Sequence, residues 1–464
     1  MYQIDFENPV HVFFIGIGGI SMSGLAEILL SEGFKVSGSD RQRSSLTETL
    51  TGKGAAVYYG HSRENLNPQP DLIVYTNGAI KDDNPELAAG RELNIPILTR
   101  AQLLGQLMNN YKTPIAVSGT HGKTTTTSML SAILLEAGTD PTLSIGGIFK
   151  EIGGNFRLGK SGYFVTEACE YTNSFLSLFP KIGIILNIEE DHLDFFKDIN
   201  DIRNSFRQFA KLLPSVSDGG ALIINGDISN LEEITSSLSC KVITYGMSSD
   251  CDYVPADITY DEFGHPSFTI IKAGAKDNEP YFLRVPGLYN VQNACAAIAA
   301  AEFLGIDNNI IRKALSDFSG TDRRFEYKGE VNGFSIIDDY AHHPTEITQT
   351  LNAAKKYPHK TIWCIFQPHT YTRTKMFLPE FAKALSISDK IILTDIYAAR
   401  EKDTLGISSE TLKEEIEKLG HSCYYFHSFG EIENFVLENC TKDDLLITMG
   451  AGDVVKIAEN LLRK

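Results

Sequence analysis

Pro114-Ile-Ala-Val117-Ser118-Gly119-Thr120-His121-Gly122-Lys123-Thr124-Thr125 is the stretch that decides the fold. Its first four residues form the continuous apolar run of a strand buried on both faces. Beyond Thr124, the residues Met129, Leu130, Ile133 and Leu134 share one helical face up to Gly138. The glycines therefore sit where a strand turns into a helix. Such a turn suits nucleotide phosphates: backbone N–H groups of residues 119–124 wrap an anion, Lys123 neutralises the β and γ groups, and the Thr124 hydroxyl ligates magnesium. The usual phosphate loop has a further glycine where this chain has Val117, so the motif is a shortened variant. The plainer alternative, a glycine turn with an incidental lysine, does not account for the strand–loop–helix context.

Further strands are expected in the same region at residues 162–166, 182–187, 221–225 and 242–245, which predicts a central nucleotide-binding sheet. One of these strands ends in Asn187-Ile-Glu-Glu-Asp191-His192-Leu-Asp194, and another ends at Glu167. Carboxylates and an imidazole at the carboxyl edge of a parallel sheet, beside a phosphate loop, are placed to hold a metal ion. Alone, such a cluster reads as a solvated turn. Downstream, residues 267–285 alternate like an antiparallel addition, and Asn290 is expected to cap an alanine-rich helix through Leu304.

Upstream, His11-Val-Phe-Phe-Ile15 reads as a strand, followed by Gly16, Gly18 and Gly19 and by helical spacing over residues 22–30. Strands at 35–37, leading to Asp40, at 72–75, leading to Thr76-Asn77-Gly78-Ala79-Ile80, and at 95–98, with a helix over 100–109, complete a βαβ unit. The glycines and Asp40 approach a dinucleotide fingerprint, but Ser21 stands where its third glycine belongs. On these residues an NAD site and a nucleotide-sugar site are both open, and a plain turn is the bland alternative.

The last third alternates strands at 334–338, 361–366, 390–394, 423–426 and 445–449 with amphipathic helices, which predicts a parallel sheet covered on both faces. Asp338-Asp339-Tyr340-Ala-His342-His343-Pro344 and Gln367-Pro-His369-Thr370-Tyr-Thr-Arg373 follow its strands at the ends where ligands bind open sheets. The two histidines also suit a simple helix cap. Arg323-Arg324, in a linker near residues 319–326, is either surface charge or an arginine serving phosphate transfer. Gly450-Ala-Gly452-Asp453 reads as a tight turn without chemistry.

With 464 residues the chain exceeds a single core. The expectation is an α/β protein of three domains. They are a Rossmann-like nucleotide domain at 1–110, a P-loop ATPase-like α/β domain at 111–320, and a Rossmann-like doubly wound domain at 321–464. A net charge of -17 disfavours nucleic acid and anionic lipid as partners. No apolar run approaches the ~20 residues of a membrane span. Without a basic and apolar leader, and with seven scattered cysteines, a cytoplasmic protein with reduced thiols is expected.

The whole chain resembles the Mur ligase family of peptidoglycan synthesis, and within it the branch that adds L-alanine. The resemblance rests on Gly-Thr-His-Gly-Lys-Thr-Thr-Thr (119–126), Glu167 in Glu-Ala-Cys-Glu-Tyr, Glu-Asp-His (190–192), Asn290 and Asn293 in Tyr-Asn-Val-Gln-Asn-Ala, Arg323-Arg324-Phe325, and Asp-Asp-Tyr-Ala-His-His-Pro. It implies an ATP-dependent ligase that activates a carboxylate as an acyl phosphate. UDP-N-acetylmuramate would lie on Gly16, Gly18, Gly19, Asp40, Thr76 and Asn77, which decides the fingerprint against NAD. ATP would lie on Gly119, Thr120, His121, Gly122, Lys123, Thr124 and Thr125, with Asn290 and Asn293 near adenine, Asp339 near ribose and Arg324 on the transferred phosphate. Thr124, Glu167 and His192 would hold Mg2+. Tyr340, His342 and Arg373 would receive L-alanine, with His342 or a carboxylate as the base for its amine. The implied catalytic set is Lys123, His342 and Arg324, in a monomer or weak homodimer.

Two departures stand out. Thr370 replaces an arginine usual in the branch, and Phe206 stands where sister ligases carry a carbamylated lysine, so no carbamate is expected. A family member that attaches a preformed peptide to UDP-N-acetylmuramate is the nearest rival. An NAD-dependent dehydrogenase is the rival from another class.

Overall fold

The computed structural model describes residues 2–77, 80–399 and 401–463. Gly78 and Ala79, inside the expected 76–80 loop, lie outside the described residues. The chain divides into two compact units, residues 1–244 and 245–464.

The first unit holds two sheets. In the first sheet, β1 (His11–Ile15), β2 (Lys35–Asp40), β3 (Ala56–Tyr59), β4 (Leu72–Tyr75) and β5 (Ile97–Thr99) run parallel in the order β3-β2-β1-β4-β5. The order reverses between β1 and β4, where Val12 pairs with Leu72 and Ile15 with Tyr75. A crevice opens at such a reversal, beyond the carboxyl ends of the strands. Val12, Phe13, Phe14 and Ile15 are fully buried, as their unbroken apolar run predicts.

The second sheet is built from β6 (Thr113–Ser118), β7 (Thr142–Phe149), β8 (Gly154–Arg157), β9 (Tyr163–Glu167), β10 (Ile182–Ile185), β11 (Ala221–Asn225) and β12 (Lys241–Tyr245). Their order is β12-β11-β10-β6-β9-β7-β8. β6 is parallel to both β10 and β9, so the loop leaving β6 emerges between the ends of two neighbours. The two layers of this unit meet closely. Gly24, in the helix Ile20–Ser31, lies where a Cβ would be 2.7 Å from the Phe156 ring. Gly105, in the helix Arg100–Met108, lies where one would be 1.9 Å from the Ser177 carbonyl oxygen. A continuous core including Phe14, Leu29, Leu103, Phe164, Phe206 and Phe209 fills the space. Phe206 is completely buried there.

The second unit opens with the antiparallel strands β13 (Tyr253–Tyr260), β14 (Pro266–Lys272), β15 (Ala275–Lys276) and β16 (Tyr281–Phe282). The helix Leu288–Phe303 follows. Here the expected Asn290 cap is corrected. Gly287 is the N-cap, and Asn290 lies in the first turn, its Nδ2 donating to the Pro286 carbonyl at 2.8 Å. The last sheet comprises β17 (Glu326–Val331), β18 (Phe334–Asp339), β19 (Ile362–Phe366), β20 (Lys390–Leu393), β21 (Cys423–Tyr425) and β22 (Leu445–Met449). Its order is β17-β18-β22-β19-β20-β21. All neighbours are parallel except β17, which pairs antiparallel with β18. Separate apolar clusters cover its two faces.

Strands β3, β7, β8, β13 and β17 escape the sequence reading. β17 shows why: it is a polar edge strand with Gly329 at φ +143°, and lacks the alternation that marks a half-buried strand. Among the described residues no helix is long and apolar enough to cross a membrane.

Candidate active site

The loop after β6 is held open by its backbone and by side chains from the segment after β10. Gly119 and Gly122 take φ +143° and +83°, and Gly122 is the N-cap of the helix Lys123–Glu136. Asn187 clamps the loop from both sides: its Oδ1 accepts the His121 N–H at 2.8 Å and its Nδ2 donates to the His121 carbonyl at 3.0 Å. The Thr120 hydroxyl accepts the Glu189 N–H at 2.9 Å. The amides at this helix start receive no side-chain cap, and Thr124 and Thr125 are buried behind them.

Lys123 Nζ donates to the carbonyls of Gly119 and Thr120 and to the Glu170 carboxylate, whose nearer oxygen is 3.0 Å away. Burial opposes its charge, but Glu170, with Cys169 and Glu167 beyond, more than offsets that and raises the ammonium's pKa. His192, at φ +53°, lies against the Tyr171 ring. Its Nε2 is 3.7 Å from Asp191 and 4.0 Å from Glu170. Glu167, which also acts on the Lys123 charge, accepts the Gly146 N–H through Oε1.

At the reversal of the first sheet lies a cleft of about 420 Å³ lined by Gly16, Gly19, Ser21, Asp40, Thr76 and Arg100, among others. The Gly18 N–H donates to Asp40 Oδ2 at 2.9 Å, so this carboxylate shapes the glycine turn itself. A Cβ on Gly18 would meet that oxygen at 2.9 Å. Gly19 is the N-cap of the helix Ile20–Ser31 without a side-chain partner, leaving first-turn amides for an anion. Ser21 lies inside that helix and accepts Arg100 Nη1 at 2.8 Å.

In the second unit the cluster at the ends of β18 and β19 is assembled. Asp339 accepts the N–H groups of Phe325 and Ala341 at 2.7 and 2.8 Å. Burial pushes its carboxyl up to about 6, against the pull of Arg324 and these amides. Arg323 and Arg324 each place a guanidinium 5.0 Å from the Tyr340 ring centre. Arg323 is otherwise structural, donating to Asp338 at 2.9 Å and to the carbonyls of Gly452 and Gly450 at 3.0 and 2.7 Å. Gly450-Ala-Gly452 is thus a turn that anchors an arginine. His343 is the N-cap of the helix Pro344–Ala354, as the capping alternative has it. His342 is turned away from that task, its Nδ1 3.1 Å from the Tyr340 carbonyl and 3.2 Å from Glu346 Oε2. Arg373 Nη1 lies 3.2 Å from His369 Nδ1. Thr370 takes φ +66° at the start of the following helix. Asn293 Nδ2 donates to Asn290 Oδ1 at 3.2 Å.

Three family matches cover most of the chain: Mur ligase family, catalytic domain, over residues 11–112; Mur ligase middle domain over 117–301; and Mur ligase, glutamate ligase domain, over 323–452. A UDP-N-acetylmuramate–L-alanine ligase of Agathobacter rectalis is 58% identical over 100% of both chains. The chain belongs to the Mur ligase family. A UDP-N-acetylmuramate–L-alanine ligase of Clostridium botulinum is 50% identical over 97% of this chain and 96% of that one. Among solved structures, a UDP-N-acetylmuramate-alanine ligase from Thermotoga maritima superposes with TM-score 0.81 at 29% identity, covering 98% of each chain. A murein peptide ligase from Psychrobacter arcticus does so with TM-score 0.71 at 27% identity, again over 98% of each.

Within this Mur ligase, sequence reasoning missed Arg100, Asn187 and Glu170. Arg100 reaches a cleft whose other walls lie at residues 15–80, and no local spacing announces that. In the sequence Asn187 reads as the start of an acidic segment, and Glu170 as part of Glu-Ala-Cys-Glu-Tyr. A short polar side chain ending a strand beside a phosphate loop was the available signal for Asn187.

Proposed function

We propose that this Mur ligase joins L-alanine to the lactyl carboxylate of UDP-N-acetylmuramate, converting ATP to ADP and phosphate. The observation that carries the reading is the 58% identity, over the full length of both chains, to a ligase named for that reaction. The site geometry supports it with two glycine turns, each opening an uncapped helix N-terminus at a carboxyl edge, one per anionic nucleotide.

In this reading UDP-N-acetylmuramate occupies the cleft of Gly16, Gly18, Gly19, Asp40, Thr76 and Asn77, and the ATP phosphates lie on residues 119–125. Asn290, Asn293 and Asp339 serve adenine and ribose, and Arg324 the transferred phosphate. The lactyl carboxylate attacks the γ-phosphorus, ADP leaves, and an acyl phosphate forms. Two anions must meet, so Lys123 screens the repulsion and Arg324 stabilises charge on the transferred group. Thr124, Glu167 and His192 offer oxygens and one imidazole, a donor set that fits Mg2+. When bound, Mg2+ would supply further charge neutralisation at the phosphates.

The incoming ammonium must lose a proton before it can attack the acyl carbon and expel phosphate. His342 suits this step. Its Nδ1 faces two acceptors, the Tyr340 carbonyl and Glu346, so the proton resides on Nδ1 and Nε2 keeps the basic lone pair. Arg373 pairs with the amino-acid carboxylate. Thr370 stands where the branch has an arginine, so Arg373 carries the amino-acid carboxylate with less help. A soluble cytoplasmic monomer or weak homodimer completes the reading.

Phosphate release from ATP with UDP-N-acetylmuramate tests the assignment, comparing L-alanine, glycine, L-serine and L-Ala-γ-D-Glu-meso-diaminopimelate as the amine. Release dependent on the nucleotide sugar and fastest with L-alanine supports it. Release with the tripeptide alone would make the chain a peptide-adding ligase.

A further inference from the structure

The ammonium of Lys123 has three donors, and it meets the carbonyls of Gly119 and Thr120 and the Glu170 carboxylate, lying 3.0 and 3.3 Å from that group's two oxygens. Lys123 cannot serve the β- and γ-phosphates of ATP without giving up part of this set. The carbonyls belong to a loop wired to its neighbours by Asn187 and Thr120. The partner that can be exchanged is Glu170.

Glu170 is only 3% exposed. A carboxylate left unpaired at that depth is strongly disfavoured, so it needs a replacement cation once Lys123 departs. Its Oε1 is 4.0 Å from His192 Nε2. Metal–oxygen and metal–nitrogen bonds of about 2.1 Å let two such atoms share one small divalent ion. Before nucleotide arrives, the ammonium spans both carboxylate oxygens and repels that ion.

We propose that Glu170 is a counterion exchanged between Lys123 and a divalent cation: it neutralises the lysine before nucleotide binds, and joins His192 on the cation when phosphates draw the lysine away. Metal binding at this position is thereby coupled to nucleotide binding. Lys123 acts as the gate and Glu170 as the positioning residue. The inference rests on the reading of residues 119–125 as the ATP site.

The test uses Mn2+ as probe, titrated into the full chain without nucleotide and followed by electron paramagnetic resonance. Coupling between two sites commonly changes affinity about 5- to 150-fold. K123M should therefore bind Mn2+ at least about fivefold more tightly than wild type. K123M/E170Q should lose that gain. K123Q, which keeps an uncharged donor for Glu170, repeats the comparison should K123M fold poorly, with circular dichroism and UDP-N-acetylmuramate binding as the check. Equal Mn2+ affinity in wild type and both Lys123 variants overturns the proposal, as does a gain that survives E170Q. AMP-PNP titrated into wild type separates the two readings: if it fails to bind, the assignment of the loop to ATP fails, and the inference with it.

Discussion

Asp339 shows how one buried carboxylate sets a pH dependence. Its ordinary value is 3.8, and burial raises it to about 6. Between these values the native state keeps a proton that the unfolded chain has lost, so this group's contribution to stability falls as pH rises through that window. The difference amounts to about 2–3 kcal/mol. Relative to D339N, wild type should lose that amount between about pH 4 and about pH 7. Denaturant unfolding followed by fluorescence of Trp363, the one tryptophan and a buried strand residue of the second unit, reads it. The paired arginines give a second contrast. R323A strands Asp338, which is fully buried, and frees the Gly450 and Gly452 carbonyls. It should cost about 3–5 kcal/mol by the same measurement. R324A loses the ring contact with Tyr340, about 0.5–1 kcal/mol, and should chiefly lower the rate of phosphate release.

Among the elements, the helix Arg100–Met108 is constrained by what it packs against more than by its own propensity. Alanine is favoured over glycine inside a helix by about 1 kcal/mol. At Gly105 the added Cβ would lie 1.9 Å from the Ser177 carbonyl oxygen, and backbone cannot swing aside as a side-chain tip does. G105A should therefore destabilise the protein by about 1–3 kcal/mol, seen as a lower Tm. Gly52, which closes the helix Ser45–Gly52 with nothing within 4 Å of its missing Cβ, is the control. G52A should be neutral or raise Tm slightly. The phosphate loop obeys the same logic. Its shape depends on two positive-φ glycines and on Asn187, which lies 66 residues from the His121 it clamps.

For the whole molecule, the strand order of the first sheet sets which ligand stabilises which region. The cleft at its reversal lies within residues 1–244. UDP-N-acetylmuramate at a hundred times its Kd should stabilise the native state by about 2.7 kcal/mol. Hydrogen exchange should slow in β1 and the helix Ile20–Ser31. NAD+ at the same concentration should change nothing if the cleft is a nucleotide-sugar site. Protection by NAD+ equal to that by the nucleotide sugar would return the cleft to the dehydrogenase reading.

The sequence by itself determined the α/β class, the apolar central strands, the two glycine turns and the Asp-Asp-Tyr-Ala-His-His cluster. Strand periodicity, helix starts and glycine conformations are properties of a few neighbouring residues, so they are legible locally. What only the tertiary structure decided is which side chains converge. Glu167 and Glu170 are indistinguishable in Glu-Ala-Cys-Glu-Tyr, yet one faces the Gly146 amide and the other the Lys123 ammonium. Arg323 and Arg324 are adjacent and identical, yet Arg323 is bound into the turn at Gly450 and Gly452 while Arg324 lies over the Tyr340 ring and acts on Asp339. Arg100 reaches Ser21 across 79 residues. Strand β7 and the edge strands β8 and β17 form because a neighbour offers them a ladder, which no local pattern encodes.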